Sequence, residues 1–292
     1  MVVSACSLLT SVSGLSGGEA SPTSDGSSGG DTGVEASNAL DATSSADAPT
    51  ATDAADPRFL AYGNAVLADT PVAYWRFEET ALPTARDERG AHHGLYAFSP
   101  TLGEPGIAGG RAVRLPAGQR SHVTQADLAF RFPGNQPYAV EVWLQIGKLG
   151  GNQWLAGTEG PASPDPRTGW SLFVTDVGGV AYEVWGAPFV DGGSLQRRGI
   201  YATSAPFDVA RFHHVVMTYN GAVISMWLDG AKRASFTDTT DAPDTGTLML
   251  GCRRTPTGVT ACLDDGVLDE VAIYDHPLVE ARILAHYVLG KP

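Results

Sequence analysis

Residues 213–236 read HHVVMTYNGAVISMWLDGAKRASF, and this run does most to limit what the chain can become. Val215 to Tyr219 is β-branched and aromatic, and Asn220-Gly221 is the dipeptide that best tolerates positive φ at both centres of a type I′ turn. Ile224, Met226 and Leu228 then alternate with Ser225, Trp227 and Asp229, a period of two with one apolar face. Asp229-Gly230 supplies a second tight turn, and Ala231 to Phe236 returns. Two short turns joining three runs predict an antiparallel meander, and so a β-sheet domain.

The same pattern recurs on both sides of the meander. Ala73 to Phe77, Ala112 to Leu115 and His122 to Thr124 read as strands, the last two around a Pro-Ala-Gly turn. In Tyr138 to Ile146, Val140, Val142, Leu144 and Ile146 face one way and Glu141, Trp143 and Gln145 the other. Gly169 to Thr175 and Val180 to Trp185 suit a hairpin, and Leu248 to Cys252 and Leu268 to Tyr274 complete the set. Apolar spacing at Phe59, Tyr62 and Val66 predicts a short first helix ending before Asp69. Asp275 and Pro277 are expected to open a final one, with Ile283/Tyr287 and Leu284/Val288 as i,i+4 pairs and Gly290 as its stop. Many strands without βαβ alternation indicate an all-β, two-sheet antiparallel jelly-roll sandwich with a short helix at each end.

Charge divides the chain. Residues 1–57 carry eight carboxylates and no Lys, Arg or aromatic residue, leaving −5 of the net −13 for the remainder. Residues 7–57, rich in Ser, Gly, Ala and Asp, have almost nothing to bury and read as a disordered acidic tether. An acidic chain without a basic cluster argues against nucleic acid as a partner. No apolar run reaches the roughly 20 residues of a transmembrane helix. Val3-Ser4-Ala5-Cys6 resembles the lipobox of bacterial lipoproteins, which implies a signal remnant at 1–6 and a lipid anchor on Cys6. The alternative is an ordinary tail. The folded domain is expected over 58–292.

Five segments, AVLADTPVAYWRFEE, DERGAHHGLY, YAVEVWL, FHHVVMTYNGAVISMWLDG and GVLDEVAIYDHPL, together resemble the laminin G-like modules of the concanavalin A-like lectin/glucanase superfamily. Phe212 stands where that family usually has Trp. The resemblance implies a jelly roll in a secreted or surface protein that binds a glycan or an extracellular protein. It also implies a structural Ca²⁺ held by Glu79, Asp87 and Asp269, because the ion needs six to eight hard oxygens and Asp269 lies in an otherwise apolar strand. The alternative is a solvated acidic loop and an Asp bonded to backbone amides.

Cys252 and Cys262 flank a nine-residue loop between two strands expected to be neighbours, where a disulfide would close a short hairpin. Two free thiols are the alternative. Trp75, Trp170 and Trp227 are expected in the core. Trp143, sharing a face with Glu141 on what would be the concave surface, is the better candidate for stacking on sugar, along with Trp154 and Trp185 near strand ends. Catalytic jelly-roll glucanases place two carboxylates on one strand face in a Glu-x-Asp-x-Glu run. No such run occurs, Asp269 and Glu270 are expected on opposite faces, and His213 and His214 have no nucleophile motif nearby. The expectation is a binding module, not an enzyme.

Overall fold

The computed structural model divides the chain into Met1–Thr50 and Ala51–Pro292. It describes residues 56–160, 168–187, 196–202, 207–209, 211–239, 244–255 and 257–292, with the side chains of 185–187 and 196–202 outside that description. Cys6 and the acidic tether lie outside the described residues, as does the side chain of Trp185.

Two eight-stranded antiparallel sheets face each other. The meander sheet runs Ala231–Thr237, Val223–Leu228, His213–Tyr219, Tyr138–Gln145, Gly266–Tyr274, Arg111–Leu115 and Thr101–Pro105, and Ala73–Trp75 also pairs with Gly266–Tyr274. The second sheet runs Gln196–Ala202, Val180–Ala187, Gly169–Val174, Gln153–Gly157, Leu248–Leu250, His122–Gln125, Gly94–Ala97 and Thr84–Ala85. The two strands around Pro-Ala-Gly therefore enter opposite sheets, as do Leu248–Leu250 and Gly266–Tyr274. Sequence neighbours in a sandwich pair often, but a strand can also cross to the facing layer.

Alternation sets the core. Val140, Val142, Leu144 and Ile146 point between the sheets, where they meet Trp75, Trp170, Leu172, Met226 and Val271. At about 25 cal/mol per Å² of apolar surface removed from water, this layer is the main stabilising contribution of the sandwich. Of the two meander turns, Asp229-Gly230 has positive φ at both residues (53° and 73°), the signature of a primed hairpin turn. Asn220-Gly221 does not, since only Gly221 is positive. Asn220 instead accepts from the amides of Ala222 and Val223 through its side chain, widening that turn.

The other face of the meander sheet lies under the two helices, Pro57–Ala68 and Glu280–Gly290. The second begins later than Asp275-Pro277 suggests, with Val279 at its N-cap. Tyr62, Val66 and Ile283 pack on Trp143, Val216, Trp227 and Ala272. Gly290 ends its helix against the indole of Trp143, where a Cβ would stand 2.5 Å from the ring. Leu284 and Val288 remain half exposed, so only Ile283/Tyr287 forms the packed pair.

Candidate functional site

The helix-covered face holds Glu141, which has no solvent exposure. Its Oε1 accepts from Tyr62 Oη at 3.0 Å and His214 Nε2 at 2.7 Å, and its Oε2 from Tyr274 Oη at 2.8 Å and His286 Nδ1 at 3.0 Å. Trp143 Nε1 donates in turn to Tyr62 Oη at 2.8 Å. On its far side, His286 Nε2 lies 3.0 Å from Asp69, which receives Arg282 Nε on both oxygens at 2.8 Å. Lying between the Glu141 and Asp69 carboxylates, with Arg282 Nη2 3.5 Å from Nε2, the His286 ring is placed to carry a positive charge. Burial opposes that charge, but Glu141 and Asp69 outweigh it and hold the His286 pKa above its usual value. Burial likewise opposes the Glu141 charge, yet His286 and His214 hold the carboxyl well below its usual range.

This arrangement corrects the sugar-platform reading of Trp143 and Glu141. Both lie at 0 % exposure, with the Trp143 ring stacked on His214 at 4.8 Å and on Tyr287 at 6.1 Å. The strand periodicity is right; what the sequence leaves unseen is that the terminal helices cover this face. The saturated carboxylate is a clamp joining helices to sheet. Of His214, only Nδ1 lacks a hydrogen-bond partner.

Asp269 and Glu270 also depart from expectation. A bulge with Glu270 at φ 50° inserts an extra residue opposite Trp143–Glu141, so both carboxylates lie on the helix side while Leu268 and Val271 face the core. Glu270 pairs with Arg76 at 2.8 Å and accepts from Tyr74 Oη, and Asp269 accepts from Ile107 N at 2.7 Å. Burial pushes both carboxyls up, Glu270 to about 7 against the pull of Arg76, and Asp269 well above its usual range with the added repulsion of Glu270. Each residue of the pair is 1 % exposed, which closes it to a polymer.

The proposed calcium residues do not gather. Asp87 takes four backbone amides, from Tyr74, Arg89, Ala91 and His92, at 2.8–3.1 Å. Glu79 accepts from Arg86 N and from Tyr96 Oη. With those lone pairs occupied, Asp269 Oδ1 is the one buried oxygen of the three left without a hydrogen-bond partner. A single free oxygen is far short of a calcium shell, and among the described residues no group of three or more acidic, His or Cys side chains is placed to hold a metal. The residues do not fit the ion.

Cys252 and Cys262 are bridged, with Sγ atoms 2.03 Å apart. The bridge closes the base of a two-stranded ribbon, Arg253–Thr255 with Gly258–Thr260, that sequence spacing reads as a plain loop. Beneath it Trp154 is 4 % exposed, stacked on Phe173 at 4.6 Å with the Arg253 guanidinium 5.1 Å above the ring. Trp154 therefore packs as well, a second correction to the platform reading. Beside the ribbon opens a recess of about 300 Å³ lined by Arg120, Asn152, Gln153, Thr260, Cys262 and Asp264 among others. Gln153 is its scaffold: Nε2 donates to Lys148 O at 2.7 Å and Oε1 accepts from Asp264 N at 2.8 Å. Arg120, Asn152 and Asp264, from three separate loops, all line it, and the Asp264 carboxylate lies 3.8 Å from Lys148 Nζ.

Two facing antiparallel sheets with loops gathered at the rims define a concanavalin A-like jelly roll. A laminin G family model, described as concanavalin A-like lectin/glucanases superfamily, matches residues 117–284, more than half the chain, and the chain belongs to that family. No curated protein matches it by sequence. Solved structures similar to it include the binding domain of Paraclostridial Mosquitocidal Protein 1 (TM-score 0.55, 14 % identity, 76 % of this chain and 52 % of that one). The botulinum neurotoxin serotype G binding domain gives 0.56, 10 %, 75 % and 51 %. The serotype D ligand binding domain in complex with N-acetylneuraminic acid gives 0.54, 13 %, 77 % and 52 %. The chain spans about half the length of these structures, and at such identities the likeness establishes the fold.

Proposed function

We propose that this chain is a non-catalytic, extracytoplasmic binding module that takes carbohydrate in the recess beside the disulfide ribbon. The observation that carries the reading is the convergence of Arg120, Asn152 and Asp264 from three loops on a recess of about 300 Å³. Directional donors and acceptors on a rigid sheet rim match a hydroxyl-rich ligand. The similar solved structures are binding domains, one of them holding a sugar, which supports the same reading. Hydrolysis is disfavoured because Glu141 is saturated by four donors and Asp269 and Glu270 are sealed from solvent. The disulfide supports an oxidising compartment, and Cys6 is the proposed point of lipid attachment behind the acidic tether.

A glycan array followed by titration tests this. Asn152→Ala with Asp264→Ala should weaken the best sugar about tenfold or more, as expected when two hydrogen bonds of roughly 1 kcal/mol are lost. Retained affinity in that variant, or an array with no binding at all, would remove the proposal. A protein partner is the second reading, favoured by Leu82, Leu95 and Phe98, which are 48 %, 55 % and 64 % exposed on or next to the neighbouring Thr84–Ala85 and Gly94–Ala97 strands.

A further inference from the structure

A second recess, of about 460 Å³, opens at one end of the helix-covered layer. Its walls include Arg58, at the start of the first helix, Arg211, just before the meander, and the amide of Gln145. Pro105, Ile107 and Phe212 give it an apolar lining. Arg58 and Arg211 stand 153 positions apart in sequence, so the fold, not a local basic run, brings them to one cavity.

Their existing bonds leave both guanidinium groups with donors to spare. Arg58 donates from Nη2 to Asp56 at 3.3 Å. Arg211 donates from Nη2 to Asp229 at 3.4 Å and lies 3.9 Å from Asp208. Each contact is long and exposed, and a guanidinium carries five N–H groups.

The neighbouring recesses sharpen the point. One of about 440 Å³ in the loop after the first strand is lined by Glu78, Glu79 and Glu88 against a single Arg86. The recess beside the disulfide sets Arg120 against Asp264. Of these three, the Arg58/Arg211 recess alone has cationic side chains and no acidic one in its lining. The two guanidiniums are the charged side chains of this lining, to which Pro292 also contributes, and each is partly balanced by an aspartate, Asp56 for Arg58 and Asp229 and Asp208 for Arg211.

We propose that this recess binds the carboxylate of an acidic sugar of the uronate type. Paired guanidiniums take a carboxylate with charge-assisted, often bidentate, hydrogen bonds. Gln145, also in the lining, carries an amide suited to a hydroxyl, and the half-buried Phe212 offers surface for the C–H face of a pyranose ring. The volume lies within the roughly 300–1,000 Å³ of small-molecule sites. An acidic peptide is less well served, because extended chains dock along a free strand edge, and this recess is lined by helix-start and loop residues. The site shares no lining residue with the recess beside the disulfide ribbon, so either proposal can fail without the other.

The full chain should be titrated calorimetrically with a short oligogalacturonate, with the matching neutral oligogalactoside, and with an oligoglutamate peptide. The uronate is expected to bind, to weaken with added salt, and to lose about tenfold in affinity in Arg58→Gln with Arg211→Gln. An unchanged melting temperature would show that the variant is folded. Arg120→Gln, in the other recess, should leave uronate affinity unchanged. Absence of uronate binding, equal binding of the neutral sugar, equal or tighter binding of the peptide, or indifference to the double substitution would each overturn the proposal.

Discussion

The helix-covered face of the meander sheet and the ribbon-side recess of the second sheet use the same residue types to opposite ends. Each combines a strand tryptophan, a carboxylate and basic side chains. On the covered face Glu141 is enclosed by four donors and Trp143 by rings, so these two side chains are spent within the molecule. Beside the ribbon, Trp154 is packed away while Asn152, Arg120 and Asp264 line a cavity. The lesson is that a tryptophan and an acid on one strand face do not by themselves mark a ligand platform. What lies over that face decides.

The largest effect is expected from breaking the covered side. Glu141→Ala should destabilise by about 3–5 kcal/mol, because it removes one of the two carboxylates beside His286 and leaves the His214 ring and the O–H donors of Tyr62 and Tyr274 without an acceptor in the interior. Chemical denaturation measures this, and a loss below about 1 kcal/mol would mean the clamp does not hold the helices. On the other side, Cys252→Ser with Cys262→Ser should lower stability by about 2–3 kcal/mol in the chain-entropy picture. The same double variant should weaken sugar binding at the recess that Cys262 lines, whereas the Glu141 variant, where still folded, should bind sugar normally. Equal binding defects in both would erase the contrast between the two regions.

The smallest effect is a pH signature of the covered side. His286 has a folded pKa above its unfolded value, so its contribution is full below about 6.5 and is lost as pH rises through the folded value. Glu141 is held below its unfolded value, so its contribution is present above about 4.5 and is lost on acidification through the folded value. The stability difference between wild type and His286→Gln should therefore shrink as pH climbs past neutrality. A difference independent of pH would show that His286 is not charged in the folded protein.

Much of the sandwich was legible in the sequence because burial between sheets imposes a period of two, as in Val140–Ile146 and Ile224–Leu228. The disulfide was legible too, from spacing. The strands at Thr101–Pro105 and Gln153–Gly157 carry weak alternation: the first is an exposed edge and the second is buried at every residue. The assignment of Asp269 and Glu270 to opposite faces fails because a bulge breaks the period without leaving a mark in the residue types. The cover over Trp143 depends on contacts between residues 62, 141, 214 and 286, which no local pattern encodes.

The Glu141 shell also sets how short a working fragment can be. Residues 117–284 contain the acid and His214 but omit Tyr62, Asp69 and His286, along with the strands at 73–75 and 111–115. Excised to the boundaries of the family match, the polypeptide would lose the first helix and most of the second, opening Trp143 and its apolar neighbours to water and parting Glu141 from His286. Any trimmed version intended for crystallisation or fusion should therefore retain both ends, from 56 through 290.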